Sequence, residues 1–283
     1  MFSNRDCTIK FENVKYILKD IIILDNITFT VGRGLHILLG PNGSGKTTIL
    51  RLASGLAKPT SGEIKICDDS PSPKLVSGTV GDEQIPPWMR VSDYLEAMTR
   101  LAGCKSIGDC NSLSRELYHR LNIAGMLEKK GGQLSSGMKR KLQLVAATMR
   151  DTRILLLDEP FANLDPESRE TIAEVLSKHS EKRTILIATH IIPSKTKPNS
   201  IILIENGKIK KLYDTSKLAY LAETNLTPQQ LTKNIDIIEK FKPIAIINVE
   251  NRIWIASTTP HIEKCIKEKI CTGKTKIYWH AET

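Results

Sequence analysis

The sequence predicts an α/β fold whose core is a mostly parallel sheet. Short apolar runs that suit buried strands alternate with segments of helical periodicity along most of the chain, and this alternation is typical of parallel sheets covered by helices. A glycine-rich loop directly follows one of the apolar runs. Ligands of such folds bind at the carboxyl edge of the sheet, so the loop predicts where the functional site lies.

Length and charge limit the possible classes of protein. With 283 residues, the chain has room for one large domain, or for an ordinary domain and a small one. Its formal net charge of +10 suits an anionic partner: a nucleotide, a nucleic acid or a negatively charged membrane surface. No apolar run approaches the length of a membrane-spanning helix, and the first residues lack the apolar segment of a signal peptide. We therefore expect a cytoplasmic protein that meets any membrane from its surface.

The six cysteines form no Cys-x-x-Cys pair. In a chain of this length without a secretion signal, this favours reduced thiols over disulfides or a zinc site. Cys104 and Cys110 are interpreted as incidental members of a loop.

The glycine-rich loop has the spacing of a phosphate-binding loop, Gly, four residues, Gly-Lys-Thr. An apolar strand, residues 35–39, precedes it, and good helix formers, residues 49–53, follow it. Its glycines allow backbone N–H groups to converge on an anion at the start of a helix. Lys46 can reach the β- and γ-phosphates, and the Thr47 hydroxyl can ligate Mg²⁺. The loop therefore predicts nucleoside triphosphate binding by Gly40, Pro41, Asn42, Gly43, Ser44, Gly45, Lys46, Thr47 and Thr48.

Before and after this loop the chain predicts two subdomains of the core. Segments rich in Ile, Val, Thr and Phe predict an N-terminal antiparallel β subdomain with strands at 7–14, 21–31 (interrupted at 25–26) and 63–67. Helical periodicity then predicts an inserted α-helical subdomain at about 88–148. Its apolar faces consist of Leu95, Met98 and Leu101, and of Leu113, Leu117 and Leu121. A further helix is expected from Ser135 to Met149.

The second half of the chain completes the parallel core and adds a small domain. Buried strands are predicted at 154–157, 184–189 and 200–204, with a helix at 168–180. After Gly207 the chain becomes rich in Lys and Ile, with strands expected at 244–249, 253–257 and 275–279 and a helix at 260–270. We therefore predict a large nucleotide-binding domain, residues 1–212, and a small C-terminal α+β accessory domain, residues 213–283.

Two carboxylates follow the strand at 154–157. Asp158 lies where the carboxyl edge of the sheet places ligands, so it can hold Mg²⁺ opposite Thr47. Glu159 is placed to polarise a water molecule for attack on the γ-phosphate.

Further motifs resemble those of one known family, the ATP-binding cassette (ABC) ATPases. The segment Leu-Ser-Ser-Gly-Met-Lys-Arg at 134–140 resembles the family's signature, Leu-Ser-Gly-Gly-Gln, and Asn163-Leu164-Asp165 resembles its D-loop. His190 follows an apolar strand as the family's switch histidine does. The resemblance covers about residues 8–211 and implies the P-loop NTPase form of the α/β fold.

The resemblance implies a head-to-tail dimer in which each ATP lies between one subunit's phosphate-binding loop and the other subunit's signature. Ser135, Ser136 and Gly137 would then grip the partner's nucleotide, because the serine begins a helix whose dipole favours an anion. Ser136 and Met138 stand where the family has glycine and glutamine. This departure is expected to weaken the partner's site at most.

Three further residues are assigned by the resemblance. His190 would contact the γ-phosphate and the attacking water, and Tyr16 would stack on adenine. Gln84 would join Mg²⁺ to the transporter interface, although Gly81-Asp82-Glu83 differs from the usual apolar sequence before this glutamine. The alternative for Tyr16 is a half-buried structural tyrosine, and the alternative for Gln84 is a plain surface loop.

Together these features predict the ATPase subunit of an ABC transporter. Its catalytic residues would be Glu159, His190, Lys46 and Gln84; its metal ligands Thr47, Gln84 and Asp158; and Asp165 would join the nucleotide-binding set. The implied partners are a second ATPase subunit and a multi-spanning membrane permease, with no direct nucleic acid contact. The alternative is a soluble ABC ATPase working on nucleic acid, ribosomes or cofactor assembly. A subunit with little turnover is disfavoured by the presence of both Glu159 and His190.

Overall fold

A computed structural model describes residues 7–79, 85–215, 220–224, 243–249, 252–257 and 276–280. Within these ranges the chain forms three sheets and five α-helices.

The largest sheet has six strands in the order β5-β6-β7-β3-β8-β9. All neighbouring pairs are parallel except β8 and β9, so β9 is an antiparallel edge strand. This confirms the predicted mostly parallel α/β core. The strands are β3 (Gly34–Leu39), β5 (Val76–Thr79), β6 (Ile154–Asp158), β7 (Thr184–Thr189), β8 (Ser200–Glu205) and β9 (Lys208–Asp214).

This sheet separates two hydrophobic cores. Along β6, Leu155 and Leu157 join the core formed with the inserted helices, whereas Leu156 joins the core formed with the N-terminal sheet. Successive side chains of a strand point to opposite faces, and both faces are covered here. Burial on both sides explains why the central strands read as continuous apolar runs.

The N-terminal sheet is antiparallel, as predicted, with the order β2-β1-β4. Its strands are β1 (Ile9–Leu18), β2 (Ile21–Val31) and β4 (Ser61–Ile66). The expected interruption of β2 is wrong: the strand continues through Asp25 and Asn26. Asn26 has a φ of 55°, which asparagine tolerates better than most residues, so the strand deviates locally without ending.

The helices are α1 (Lys46–Ala53), α2 (Val91–Leu101), α3 (Ser112–Arg120), α4 (Ser136–Thr148) and α5 (Pro166–His179). Short 3₁₀ segments lie at Ile107–Asp109, Ile123–Met126, Gly131–Gln133 and Ser180–Lys182. Helices α2, α3 and α4 come between β5 and β6 in the chain, where the inserted helices were predicted. Leu113, Leu117 and Leu121 are buried as expected, but Leu101 is 77% exposed because it ends α2 at the surface.

Two pairs of cysteines lie side by side in the structure. Cys7 lies beside Cys67 and Cys104 beside Cys110, with Cα atoms 4.3 Å and 5.4 Å apart; the expectation of reduced thiols stays a prediction. The first pair flanks β1 and β4, and the antiparallel pairing of these strands brings the two residues together. The second pair closes the loop between α2 and α3. Neither proximity follows from a sequence spacing.

The C-terminal segment contributes a separate antiparallel sheet in the order β11-β12-β10-β13. Its strands are β10 (Tyr220–Thr224), β11 (Pro243–Val249), β12 (Arg252–Ser257) and β13 (Lys276–His280). The three strands predicted after residue 240 are confirmed to within one residue. The predicted helix at 260–270 lies outside the described residues, and the division at residue 212 stays a prediction.

Candidate active site

The glycine-rich loop connects the end of β3 to the start of α1, the strand–loop–helix context that its sequence predicted. Gly45 precedes the helix with a φ of +103°, and a Cβ at this position would lie 2.5 Å from Leu24 Cδ2. Both the backbone angle and the tight packing require glycine. Gly45 thus forms the left-handed position at which the loop passes into α1.

Lys46 folds back over the loop. Its Nζ donates hydrogen bonds to the carbonyl oxygens of Gly40 (2.8 Å) and Pro41 (3.0 Å) and lies 3.7 Å from Glu159 Oε1. Only 5% of the residue is exposed. Burial of an ammonium group is costly unless anionic or carbonyl oxygens pair with it. These contacts therefore hold the cation in the loop, where a phosphate can bind it.

Thr47 and Asp158 are joined directly. The Thr47 hydroxyl donates to Asp158 Oδ2 at 2.7 Å. Burial raises the pKa of Asp158, and the hydrogen bond from Thr47 opposes this rise. The other oxygen, Oδ1, is buried without a hydrogen-bond partner among the described residues. A hydroxyl beside an unsatisfied carboxylate oxygen is a set of hard ligands that fits Mg²⁺.

Glu159 and His190 form a second pair at the same edge of the sheet. Glu159 Oε2 lies 3.0 Å from His190 Nδ1 and accepts a 3.2 Å hydrogen bond from the Thr189 hydroxyl. Burial alone would raise the pKa of Glu159, but His190 at 3.0 Å, together with the charge of Lys46, holds it below its ordinary value. The carboxylate is therefore ionised at neutral pH and can accept a proton.

Lys46, Thr47, Asp158 and Glu159 line one cavity of about 510 Å³, and His190 reaches this lining through its contact with Glu159. Six residues of the glycine-rich loop line it together with Asp158 and Glu159, which confirms that the sequence motifs meet in space. Ile23, Arg51 and Arg140 also line it and were not predicted. Helical periodicity indicates Arg51, because it lies four residues after Thr47 on α1. No sequence pattern indicates Ile23 or Arg140, because both come from other parts of the fold.

The signature segment lies at the N-terminus of α4. Ser135 caps this helix, its hydroxyl oxygen accepting a hydrogen bond from the Met138 N–H at 3.2 Å. Ser135 and Ser136 are exposed, and Gly137 packs so closely on Asn163 that a Cβ would lie 2.7 Å from its carbonyl oxygen. None of the three signature residues lines the cavity around Lys46.

Asp165 acts as the N-cap of α5. Its carboxylate accepts hydrogen bonds from the Ser168 N–H (2.8 Å) and hydroxyl (2.7 Å), and Lys141 lies at 3.2 Å. These hydrogen bonds lower the pKa of Asp165 to about 2. Lys141 therefore ties α4 to the start of α5.

The roles of Tyr16 and Gln84 are not tested by this geometry. Tyr16 is half-buried on β1 opposite Leu24, next to the cavity residue Ile23, but it is not part of the lining. Its assignment to adenine stays a prediction. Gln84 lies outside the described residues.

Comparison with known proteins gives concordant results. Residues 24–162 match the family model described as ABC transporter. The chain is 31% identical over 248 residues to the Nod factor export ATP-binding protein I of Paraburkholderia xenovorans (strain LB400), covering 84% of this chain and 78% of that protein. It is 30% identical over 206 residues to the uncharacterized ABC transporter ATP-binding protein YxlF of Bacillus subtilis (strain 168). This match covers 71% of this chain and 69% of that protein.

A solved structure, described as the ATP binding subunit of an ABC transporter, superimposes with a TM-score of 0.62 at 22% identity and covers 73% of this chain and 89% of that chain. Among the described helices, none is long and apolar enough to cross a membrane.

Proposed function

Because the chain belongs to the ABC transporter family of ATP-binding proteins, we propose that it hydrolyses MgATP at a site shared with a second ATPase subunit and thereby drives a separate membrane permease. ATP binding and ATPase activity are properties of this family. The proposal adds the residue roles, the metal and the partners. It rests above all on Lys46, Thr47, Asp158, Glu159 and His190 meeting at one edge of the sheet.

The loop and Lys46 bind the phosphates. The buried Nζ of Lys46 has two carbonyl acceptors and Glu159 within reach, so a β- or γ-phosphate adds a further anionic partner without moving the cation into water. Thr47 and Asp158 would hold Mg²⁺, which supplies positive charge to the phosphate oxygens.

Glu159 is the general base of the proposal. Its ionised carboxylate orients a water molecule and takes one proton as the water oxygen attacks the γ-phosphorus, with ADP as the leaving group. His190 fixes the orientation of this carboxylate at 3.0 Å and keeps it ionised. Thr189 provides a second contact to the same oxygen.

The position of the signature supports a second subunit. Ser135 and Ser136 are exposed at the start of α4, Gly137 is partly buried beside them, and none of the three lines their own chain's cavity. A helix N-terminus with free N–H groups suits the γ-phosphate of another subunit's ATP. This supports the head-to-tail arrangement, with Asp165 at the adjacent start of α5.

A groove between the helical insertion and the central sheet suits the permease. Leu56 (61% exposed) and Leu101 (77% exposed) line this groove of about 360 Å³ together with Met98 and Arg150. Exposed apolar side chains grouped around a groove are typical of protein interaction sites. Docking there would place the protein at the cytoplasmic face of a membrane.

The C-terminal segment belongs to the same assembly in this proposal. The match to the Nod factor export protein covers 84% of the chain, whereas residues 1–212 make up about three quarters of it, so the match extends beyond the predicted ATPase domain. We assign residues 213–283 an accessory role.

Substitution of the base tests this function. In Glu159→Gln, shape and hydrogen bonding are largely kept, so ATP should still bind while phosphate release falls by about 100-fold or more. The dimer should accumulate with ATP and be visible by size-exclusion chromatography. Glu181→Gln, the same change at an exposed position, is the control. Unchanged steady-state hydrolysis in Glu159→Gln would contradict the role of Glu159. Co-purification with a multi-spanning membrane protein separates a transporter subunit from a soluble ATPase.

A further inference from the structure

Arg140 is a cation that the proposed reaction leaves without a role. It lies on α4, three residues after Gly137, yet it lines the cavity that also contains Lys46 and Asp158. The signature residues before it do not line this cavity. Helix α4 thus presents its first residues to the outside and Arg140 to the chain's own phosphate-binding loop.

The packing of α4 explains this placement. Gly137 packs on the carbonyl of Asn163, and Lys141 pairs with Asp165, so both contact the segment that follows β6. Residues three and four apart share one face of a helix, which places Arg140 on this face too. The face points to the end of β6, where Asp158 lies. The positive charge of Arg140 accordingly opposes the rise in pKa that burial gives Asp158.

The guanidinium group has unused capacity for binding. Lys141, the next residue, is bonded to Asp165, whereas Arg140 has no hydrogen bond or ion pair with any residue in the described part of the chain. The residue is partly buried beside the cavity. Arginine carries five donors in a planar fork that matches two oxygens of a phosphate group.

We propose that Arg140 binds a phosphate group of the ATP held by its own chain's loop. This inference rests on the proposed function and adds a phosphate ligand supplied by the signature helix. Its consequence is that one helix serves two nucleotides: Ser135, Ser136 and Gly137 serve the partner's, and Arg140 serves its own. Binding of ATP to one chain then fixes the helix that this chain offers to the partner.

Nucleotide affinity in Arg140 variants tests the proposal. Binding of MgATP is measured by titration calorimetry at protein concentrations where the chain is monomeric. Loss of a charged hydrogen bond typically weakens binding by about tenfold or more, so Arg140→Ala should bind ATP at least about tenfold more weakly than the wild type. Arg140→Lys keeps the positive charge but loses the planar guanidinium group, so its affinity for ATP should lie between those of the wild type and Arg140→Ala. Lys139→Ala, on the same helix but outside the cavity lining, should bind like the wild type.

Hydrogen exchange provides a second measurement. Addition of ATP to the wild type should protect the amides of α4 (Ser136–Thr148), and Arg140→Ala should lose most of this protection. Wild-type affinity in Arg140→Ala would overturn the inference; combined with a loss of ATP-driven dimerisation, it would show that Arg140 serves the partner's nucleotide instead. Failure of the wild type to bind ATP would contradict the proposed function itself, so the two failures are distinguishable.

Discussion

Glu159 and His190 lie at the ends of two neighbouring parallel strands, and their side chains meet at 3.0 Å between Oε2 and Nδ1. The register of β6 and β7 pairs Asp158 with Ala188, so each strand delivers its next polar residues at the same edge of the sheet. The backbone N–H of Glu159 also donates to the Ala188 carbonyl at 2.8 Å. The ionisation of Glu159 is therefore coupled to the pairing of these two strands.

This coupling predicts the pH dependence of hydrolysis. The pKa of Glu159 lies below its ordinary value of 4.5 although burial alone would raise it. The ionised carboxylate therefore stabilises the fold fully above the unfolded-state pKa, and this effect is lost as the pH falls through the lowered folded-state pKa. The same ionised form is the proposed general base, so the rate of hydrolysis falls over the same range. His190→Ala removes the side chain that lowers this pKa most. The pKa of Glu159 should therefore rise, and the acid limb of the rate of phosphate release should move to higher pH. His119→Ala, at an exposed histidine, is the control; an acid limb that stays in place would argue against the pair.

Lys46→Ala should abolish most of the affinity for MgATP. The change removes the buried cation that the loop holds for the β- and γ-phosphates, and we expect a loss of at least about tenfold. Equilibrium binding of ATP measures it, and circular dichroism checks that the fold survives. Lys105→Ala, at an exposed lysine, should leave binding unchanged. Equal affinity in the wild type and Lys46→Ala would show that the phosphate-binding loop has been misinterpreted.

Asp158→Asn should raise the concentration of magnesium needed for hydrolysis. Asparagine can still accept the hydrogen bond from the Thr47 hydroxyl, but its neutral amide is a poorer ligand for a hard cation than a carboxylate. Titration of phosphate release with Mg²⁺ measures the shift, and Asp93→Asn at an exposed position is the control. Identical magnesium curves would remove Asp158 from the proposed metal ligands.

Restoring the family signature should strengthen the dimer. Ser136→Gly combined with Met138→Gln should increase ATP-driven dimerisation or turnover, while ATP affinity of the monomer stays the same, because these residues are proposed to serve the partner's site. Met138 also packs against the core beside α4, so the single change Ser136→Gly is needed as a comparison. Lost activity or altered monomer affinity would indicate that these residues serve another purpose.

Asp165→Ala should destabilise the fold by about 1 kcal/mol, the usual value of a lost N-cap. Asp165→Asn keeps an oxygen that can accept from Ser168 and should cost less. The pKa of Asp165 is lowered from 3.8 to about 2, so its ionised form stabilises the fold fully above pH 3.8 and loses this effect as the pH falls towards about 2. Urea unfolding of the wild type and Asp165→Ala at neutral pH and near pH 3 measures both effects. A difference in stability that does not shrink with acid would contradict the assignment.

The features predicted correctly from the sequence are those that short local patterns specify. The glycine-rich loop and the signature are contiguous motifs, and β3, β6 and β7 are apolar because the sheet is covered on both faces. Each of these features can be identified from its own residues without knowledge of the tertiary structure. Leu101 was misplaced because helical periodicity gives the face of a residue but not the point at which the helix reaches the surface.

The sequence alone determined the family, the nucleotide and the types of residue that carry the chemistry, because these depend on short stretches of consecutive residues. The tertiary structure alone decided which of them meet. Thr47 and Asp158 are 111 residues apart and form a 2.7 Å hydrogen bond, and Arg140 reaches the same cavity from a helix inserted between β5 and β6. Such contacts depend on strand order and helix packing, which are set by the burial of both cores together and not by any local pattern.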